Sequence, residues 1–184
     1  MRESVPSSVL TTVLRPAFVA ASVAWALLLP LVPFVASRPH ATPIGTALII
    51  GVYAVGGAIC HQLPERSYHL WTAQMPVCAR CAGIYVGAAI GAILGAAPLT
   101  GRPANGRTTL RVGAGLRFAG ADHARAILSI AALPTLATLV YEWTTGHMPA
   151  HWIRAATGVP LGATAAWMVL SSMPRRTRAE NRVN

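Results

Sequence analysis

Long apolar blocks make up most of this chain, and they restrict the folds open to it more than any other feature. Five blocks approach the roughly 20 residues that a helix needs to cross a bilayer. They cover about 17–37, 42–60, 78–98, 125–145 and 149–173. The chain is 54% hydrophobic and only 11% charged, whereas soluble domains average about 25% charged residues. The sequence therefore predicts an all-α, polytopic transmembrane bundle of about five spanning helices.

The length and the charge distribution suggest one domain in a plasma membrane. At 184 residues the chain allows a single transmembrane domain over 1–184. The formal net charge is +10, but most of the arginines lie in two segments rather than in a basic domain. These are the loop between the third and fourth blocks and the tail at 173–184: Arg102, Arg107, Arg111, Arg117, Arg125, Arg175, Arg176, Arg178 and Arg182. The lipid bilayer is thus the expected partner, and nucleic acid is not.

Five spans would place these two basic segments on the same side of the membrane. The positive-inside rule makes that side cytoplasmic, including the C-terminus. The N-terminus is then expected outside, despite Arg2 and Arg15. The polar loop that carries the cysteines is also expected on the extracytoplasmic face.

A cluster of soft metal ligands lies around this polar loop. Cys60 and His61 precede it, and Cys78 and Cys81 follow it as C-x-x-C. Thiolate and imidazole suit zinc, or copper(I) where thiolates dominate. We expect Cys60, His61, Cys78 and Cys81 to bind a thiophilic ion such as zinc. Because adjacent residues rarely reach one ion together, the fourth ligand is left open: His69, His147, His151 or water are the alternatives.

Two other interpretations of the cysteines remain open. A C-x-x-C at a helix start favours thiol–disulfide exchange, since the helix terminus lowers the pKa of the first thiol. Cys60 would then be a third, resolving thiol. A structural disulfide between Cys78 and Cys81, or packed thiols, is the other. A covalent haem is not predicted, because Ala82 stands where C-x-x-C-H needs histidine, and no nucleotide motif is present. Whether the protein is an enzyme stays open.

Glycine recurs at every fourth position of the third block, a spacing typical of closely packed membrane helices. A second pair stands in the fifth block. The predicted packing positions are Gly83, Gly87, Gly91, Gly95, Gly158 and Gly162. The partner of the first row could be another helix of this chain or a second copy in a homo-oligomer.

Two ionisable residues lie inside the last two blocks. Glu142 and Arg154 are each about four residues from their own side of the hairpin turn, hence about 6 Å deep at 1.5 Å per residue. Charges inside a membrane usually pair and face the bundle interior. A Glu142–Arg154 pair could fix the hairpin register, or bind an anion or relay protons in a small-solute transporter or channel. We expect this pair and Tyr85 to form the floor of the cysteine site, under the 61–77 loop.

The motifs resemble a prokaryotic family of integral membrane proteins, catalogued as domain of unknown function 2085. The resemblance rests on C-H-Q-x-P-E-R-S at 60–67, Q-M-P-V-C-A-R-C-A-G-I-Y-x-G at 74–87 and R-x-x-T-G-x-x-x-G at 154–162. It covers a core of roughly 45–172, preceded by a tail and first helix at 1–44. It adds Arg66, Gln74 and Arg80 to the expected site residues. Membership implies a membrane protein and no established activity. Ala82 and His151 depart from the expected threonine and asparagine.

Overall fold

A computed structural model describes residues 7–40, 42–96 and 121–173. The elements in chain order are α1 (Ser7–Ala36), α2 (Pro43–Ile59), a 3₁₀ turn (Pro64–Arg66), β1 (Ser67–Leu70), β2 (Ala73–Cys78), α3 (Ala79–Ala96), α4 (Ala121–Thr145) and α5 (His151–Ser172). This arrangement confirms the all-α helix bundle. Except for Arg125, the arginines of the predicted basic loop and tail lie outside the described residues.

Four of the described helices are long and apolar enough to cross a membrane. They are Val13–Ala36, Ala79–Ala96, His123–Thr145 and His151–Ser172. Many of their large apolar side chains, such as Leu27 and Ile130, are exposed, as expected for surfaces that face lipid. At 17 residues α2 is shorter; it is about 26 Å long, against a hydrocarbon core of about 30 Å.

Helices α3 and α5 run parallel and pack backbone to backbone. A Cβ added at Gly83, Gly87 or Gly91 would lie about 2 Å from a backbone carbonyl oxygen of α5. The partners are Ala155, Val159 and Ala163, always 72 positions further along, so both helices advance by one turn together. Gly158 and Gly162 of α5 meet the backbone of α3 in the same way. The predicted packing row therefore contacts another helix of the same chain, and only glycine permits that approach.

The other helix directions follow from contacts at both ends of the bundle. In α1, Trp25 packs edge-on against Tyr85 of α3 at 5.9 Å between ring centroids. Far from there, Arg15 donates to the carbonyl oxygen of Gly95 at 3.3 Å. Hence α1 is antiparallel to α3. In the last hairpin, Thr135 donates to the carbonyl oxygen of Thr157 at 2.7 Å, so α4 is antiparallel to α5.

One end of the bundle is therefore where α1 and α4 finish and where α3 and α5 begin; we call it the cysteine end. Helix α2 both starts and finishes there. A Cβ at Gly45 would lie 3.2 Å from Val35, near the end of α1, and Cys60 after α2 adjoins Cys78 at the start of α3. The second predicted span thus does not carry the chain to the opposite end.

The sequence predicted the two chain ends on opposite faces, whereas in the described residues the start of α1 and the end of α5 lie at the same end of the bundle. Arg15, near the start of α1, donates to the carbonyl oxygens of Leu170 and Met173 at the end of α5, at 2.9 and 3.1 Å. The expectation counted α2 as a crossing. Because α2 returns to the end where it began, the bundle has one crossing fewer.

The loop expected at 61–77 contains a β-hairpin. Strands β1 and β2 are antiparallel, with Leu70 opposite Ala73, so Trp71 and Thr72 form a two-residue turn. Both have positive φ, 51° and 74°, which residues other than glycine and asparagine adopt at a cost. Trp71 packs edge-on against Phe34 of α1, at 5.2 Å between ring centroids. This contact ties the turn to the bundle, so a turn without Asn-Gly still forms.

Candidate metal centre

Three different elements deliver the three cysteines to one place. Cys60 ends α2 in an extended conformation, with φ −145° and its N–H bonded to the carbonyl oxygen of Gly56. Cys78 is the last residue of β2, and Cys81 lies in the first turn of α3. Their sulfur atoms all lie within 4.8 Å of one another. All three are free thiols, so the structure holds no disulfide.

One of the three sulfurs, that of Cys78, is favoured as a thiolate. The backbone N–H of Cys78 donates to the sulfur of Cys60 at 3.3 Å, which links the first cysteine to the second. A hydrogen bond from the Cys81 thiol lowers the pKa of Cys78 to about 5, although burial opposes the shift; Cys60 and the charge of Arg154 add to the lowering. Because only the thiolate is a metal ligand, the lowered pKa of Cys78 makes this residue a suitable ligand for a soft cation.

Two glutamines hold the hairpin against α2. The amide of Gln62 donates to the carbonyl oxygens of Tyr53 and Pro76, at 2.9 and 2.7 Å. The amide of Gln74 donates to the carbonyl oxygen of Gln62 at 2.6 Å, and the Tyr53 hydroxyl donates to the carbonyl oxygen of Gln74. Gly56 allows the approach, because a Cβ there would lie 2.2 Å from the carbonyl oxygen of Pro76. These contacts bring Cys60 and Cys78 together from opposite sides of the loop.

None of the histidines joins the three sulfurs. His61 is exposed, as are His69 and His147, and the described ligand group contains cysteines alone. Nε2 of His151 is buried without a hydrogen-bond partner, and its ring lies 5.4 Å from that of Tyr68. Of the predicted set Cys60, His61, Cys78 and Cys81, the three cysteines are thus brought together, whereas His61 is exposed and lies outside the group.

The predicted ion pair has a third member. Oε1 of Glu142 lies 3.0 Å from Nε of Arg154 and accepts a hydrogen bond from Nη2 of Arg80 at 2.7 Å. Side-chain exposure is 6% for Glu142, 1% for Arg154 and 14% for Arg80. We call these three residues the ion triad. Arg80 stands in the first turn of α3 between Cys78 and Cys81, so the triad adjoins the cluster.

The remaining predicted residues occupy different parts of the same end. Tyr85 is half-buried and, like Cys60 and Cys81, packs against a buried apolar cluster of Leu29, Met75, Val77 and Ala82. Arg66 ends the 3₁₀ turn, and its Nε is buried without a hydrogen-bond partner. Gln74 lies in β2, where it bonds Gln62 as described above.

Gln62 belongs to the C-H-Q motif that carries the resemblance, but the sequence predicted no role for it in the site, and it did not predict Arg80 as part of the ion pair. Gln62 has a φ of 49°, a conformation that costs about 1 kcal/mol or more in a residue other than glycine and that its hydrogen bonds compensate. Its position two residues after Cys60 was the available signal. For Arg80 the signal was charge: its side chain, in the first turn of an apolar helix, needs a partner.

Comparisons with known proteins place the chain in a family. Residues 60–168 match the sequence model of a family described as "Predicted membrane protein", domain of unknown function 2085. An uncharacterized protein of Methanocaldococcus jannaschii is similar, with 41% identity over 64 residues, which is 35% of this chain. The match spans 41% of that relative's length. No solved structure matches. Because the family match covers more than half of the chain and includes all three cysteines, the protein belongs to the domain of unknown function 2085 family of membrane proteins.

Proposed function

We propose that this membrane protein holds one thiophilic metal ion on Cys60, Cys78 and Cys81, with zinc the leading ion. The observation that carries the proposal is the convergence of three free sulfurs within 4.8 Å, delivered by three separate elements. Tetrahedral zinc with Zn–S bonds of about 2.3 Å needs sulfurs about 3.8 Å apart, which this spacing accommodates. The fourth position is open to water or an exogenous ligand, the arrangement of reactive rather than purely structural zinc sites.

Metal analysis of the protein purified in detergent tests the proposal. The wild type is expected to carry about one equivalent of zinc, or to take it up stoichiometrically after reduction and reconstitution. The double variant Cys78→Ser, Cys81→Ser should carry none. His61→Ala is the matched control, because His61 is exposed and outside the cluster, and it should keep its metal. A wild type that stays metal-free after reconstitution ends the proposal.

Thiol–disulfide exchange is the second candidate, favoured by the contact of Cys78 with both other sulfurs. Two of the thiols would reduce a partner disulfide to two thiols and become a disulfide themselves, with two protons and two electrons passing to the partner. Equilibration in glutathione buffers of graded potential, followed by alkylation and mass measurement, distinguishes the two functions. A cluster that keeps three alkylatable thiols after metal removal, at every potential, excludes exchange.

The cysteine end is proposed to face the outside of the plasma membrane, with both chain ends in the cytoplasm. Support comes from the direction of the helices: α1 starts at the end where α3 and α5 finish, with Arg15 bonded there. The sequence segments that continue from that end, 97–120 and 174–184, contain eight arginines and one acidic residue. Positive charge of this density favours the cytoplasmic side. Green fluorescent protein fused to either chain end should fluoresce; a dark N-terminal fusion beside a bright C-terminal one would contradict this orientation.

The proposal treats 1–184 as one transmembrane domain and includes no oligomer through the glycine row. Gly83, Gly87 and Gly91 are covered by α5 of the same chain. A second copy could reach them only by displacing that helix.

A further inference from the structure

The ion triad of Arg80, Glu142 and Arg154 carries an unbalanced positive charge. One carboxylate oxygen faces two guanidinium groups, at 2.7 and 3.0 Å. With Glu142 ionised the sum is +1. At 1% exposure Arg154 is almost fully removed from solvent, and a buried charge without a counter-charge is strongly unfavourable.

No other carboxylate in the described part of the chain supplies that counter-charge. Glu65 is the one other acidic residue whose side chain is described, and it is exposed. Among the residues that the structure describes, the cysteine sulfurs adjoin the triad and can be negative. Arg80 lies in the chain between Cys78 and Cys81, and the charge of Arg154 acts on Cys78.

Charge balance then depends on the ion that the cluster binds. Ligand cysteines are deprotonated, so three of them with a monovalent, divalent or trivalent cation sum to −2, −1 or 0. With the +1 charge of the triad added, the total charges are −1, 0 and +1 respectively. The cost of burying net charge grows with its square, so the neutral total is the favoured one.

We propose that the Arg80–Glu142–Arg154 triad makes the cysteine cluster selective for a divalent cation over monovalent copper and trivalent arsenic. The inference rests on the proposed metal-binding function. The triad residues do not touch the ion; they set the charge that the ion and its three sulfurs must match.

Two substitutions change the triad charge in opposite directions. Arg154→Met lowers the triad charge to 0, so the total charge becomes zero when the cluster binds a trivalent ion. Glu142→Gln raises the triad charge to +2, so the total charge becomes zero when the cluster binds a monovalent ion. Arg125→Met is the matched control: it also removes one arginine, but 17 residues before Glu142 on α4, roughly 26 Å away at 1.5 Å per residue.

Dissociation constants for Cd²⁺, arsenite and Cu⁺ would be measured on each variant in reduced, detergent-solubilised protein, by thiolate absorbance and by competition with a chromophoric chelator. The ratio of Cd²⁺ to arsenite affinity should fall about tenfold in Arg154→Met, and the ratio of Cd²⁺ to Cu⁺ affinity about tenfold in Glu142→Gln, the scale of one nearby unit charge. Arg125→Met should keep both ratios.

Each variant tests the inference by itself, so one that fails to fold leaves the other decisive. Ratios unchanged in a folded triad variant, or changed equally in Arg125→Met, overturn the selectivity role while leaving metal binding intact. A wild type that binds none of the three ions overturns both proposals together.

Discussion

Replacing Gly87 by alanine tests whether the contact between α3 and α5 is as close as the structure has it. The new Cβ would lie 2.2 Å from the carbonyl oxygen of Val159, while real Cβ atoms stay at least 3.0 Å from other heavy atoms. The helices must therefore separate locally by about 0.8 Å (3.0 − 2.2). The obstacle is backbone, so no side-chain rotation relieves it.

The cost follows from what that separation removes. A gap of 0.5–1 Å forfeits about a quarter to a half of the dispersion energy across the affected contacts, and overpacked sites lose about 1–3 kcal/mol in total. Alanine also has the higher helix propensity, which stabilises the helix by up to about 1 kcal/mol relative to glycine. Gly51→Ala is the matched control, because a Cβ there has nothing within 4 Å. Comparing two glycine-to-alanine variants cancels the propensity gain and leaves a difference of about 1–3 kcal/mol.

The assay is reversible unfolding in mixed micelles with increasing denaturing detergent, followed by tryptophan fluorescence and far-ultraviolet circular dichroism. Gly87→Ala should unfold at a lower detergent fraction than wild type, and Gly51→Ala at an equal or higher one. Gly95→Ala should fall between them, because its nearest neighbour is the Trp167 side chain at 3.0 Å, which can move. Equal stability of Gly87→Ala and Gly51→Ala would refute the backbone contact.

Two further substitutions examine the cysteine end. Gln62→Ala removes two hydrogen bonds to the backbone, each contributing about 0.5–1.5 kcal/mol. The hairpin should therefore open more often and expose Cys60, so alkylation of Cys60 in metal-free protein should be roughly tenfold faster. An unchanged alkylation rate would mean that the Gln62 amide does not hold the hairpin. Thr72→Gly places glycine at a φ of 74° on an exposed turn. Because glycine adopts a positive φ without steric strain, the variant should be more stable than wild type by about 1 kcal/mol. A lower unfolding midpoint than wild type would count against the turn geometry.

Some features could be read from local patterns alone. The length and purity of the apolar blocks predict membrane helices, because a bilayer accepts little else. The glycine spacing predicts a face where a backbone can approach, since a residue without Cβ has that property wherever it stands. Three cysteines bordering one polar segment predict a thiol site. In each case the physical cause lies within a few residues of the signal.

The hairpin at 67–78 shows where local patterns fail. Its turn residues, Trp71 and Thr72, are unfavourable for a two-residue turn, and the sequence accordingly predicted a loop. What stabilises the turn is Phe34, more than thirty positions away, together with the glutamine contacts to α2. Similarly, Glu142 was paired with Arg154 because both are near one turn, whereas Arg80 reaches it across 62 positions.

The largest difference concerns α2, whose composition is that of a membrane span. Apolar composition indicates that a helix is buried in lipid or protein. It does not indicate at which end of the bundle the helix finishes. That end is decided by distant partners: Val35 near the start of α2, and Pro76 and Cys78 near its finish. The sequence by itself determined that the chain forms helices in a lipid environment and that its candidate ligands are thiols. Only tertiary packing decided to which end of the bundle α2 returns, that the start of α1 lies beside the end of α5, and that three sulfurs meet, because those depend on contacts between residues far apart in the chain.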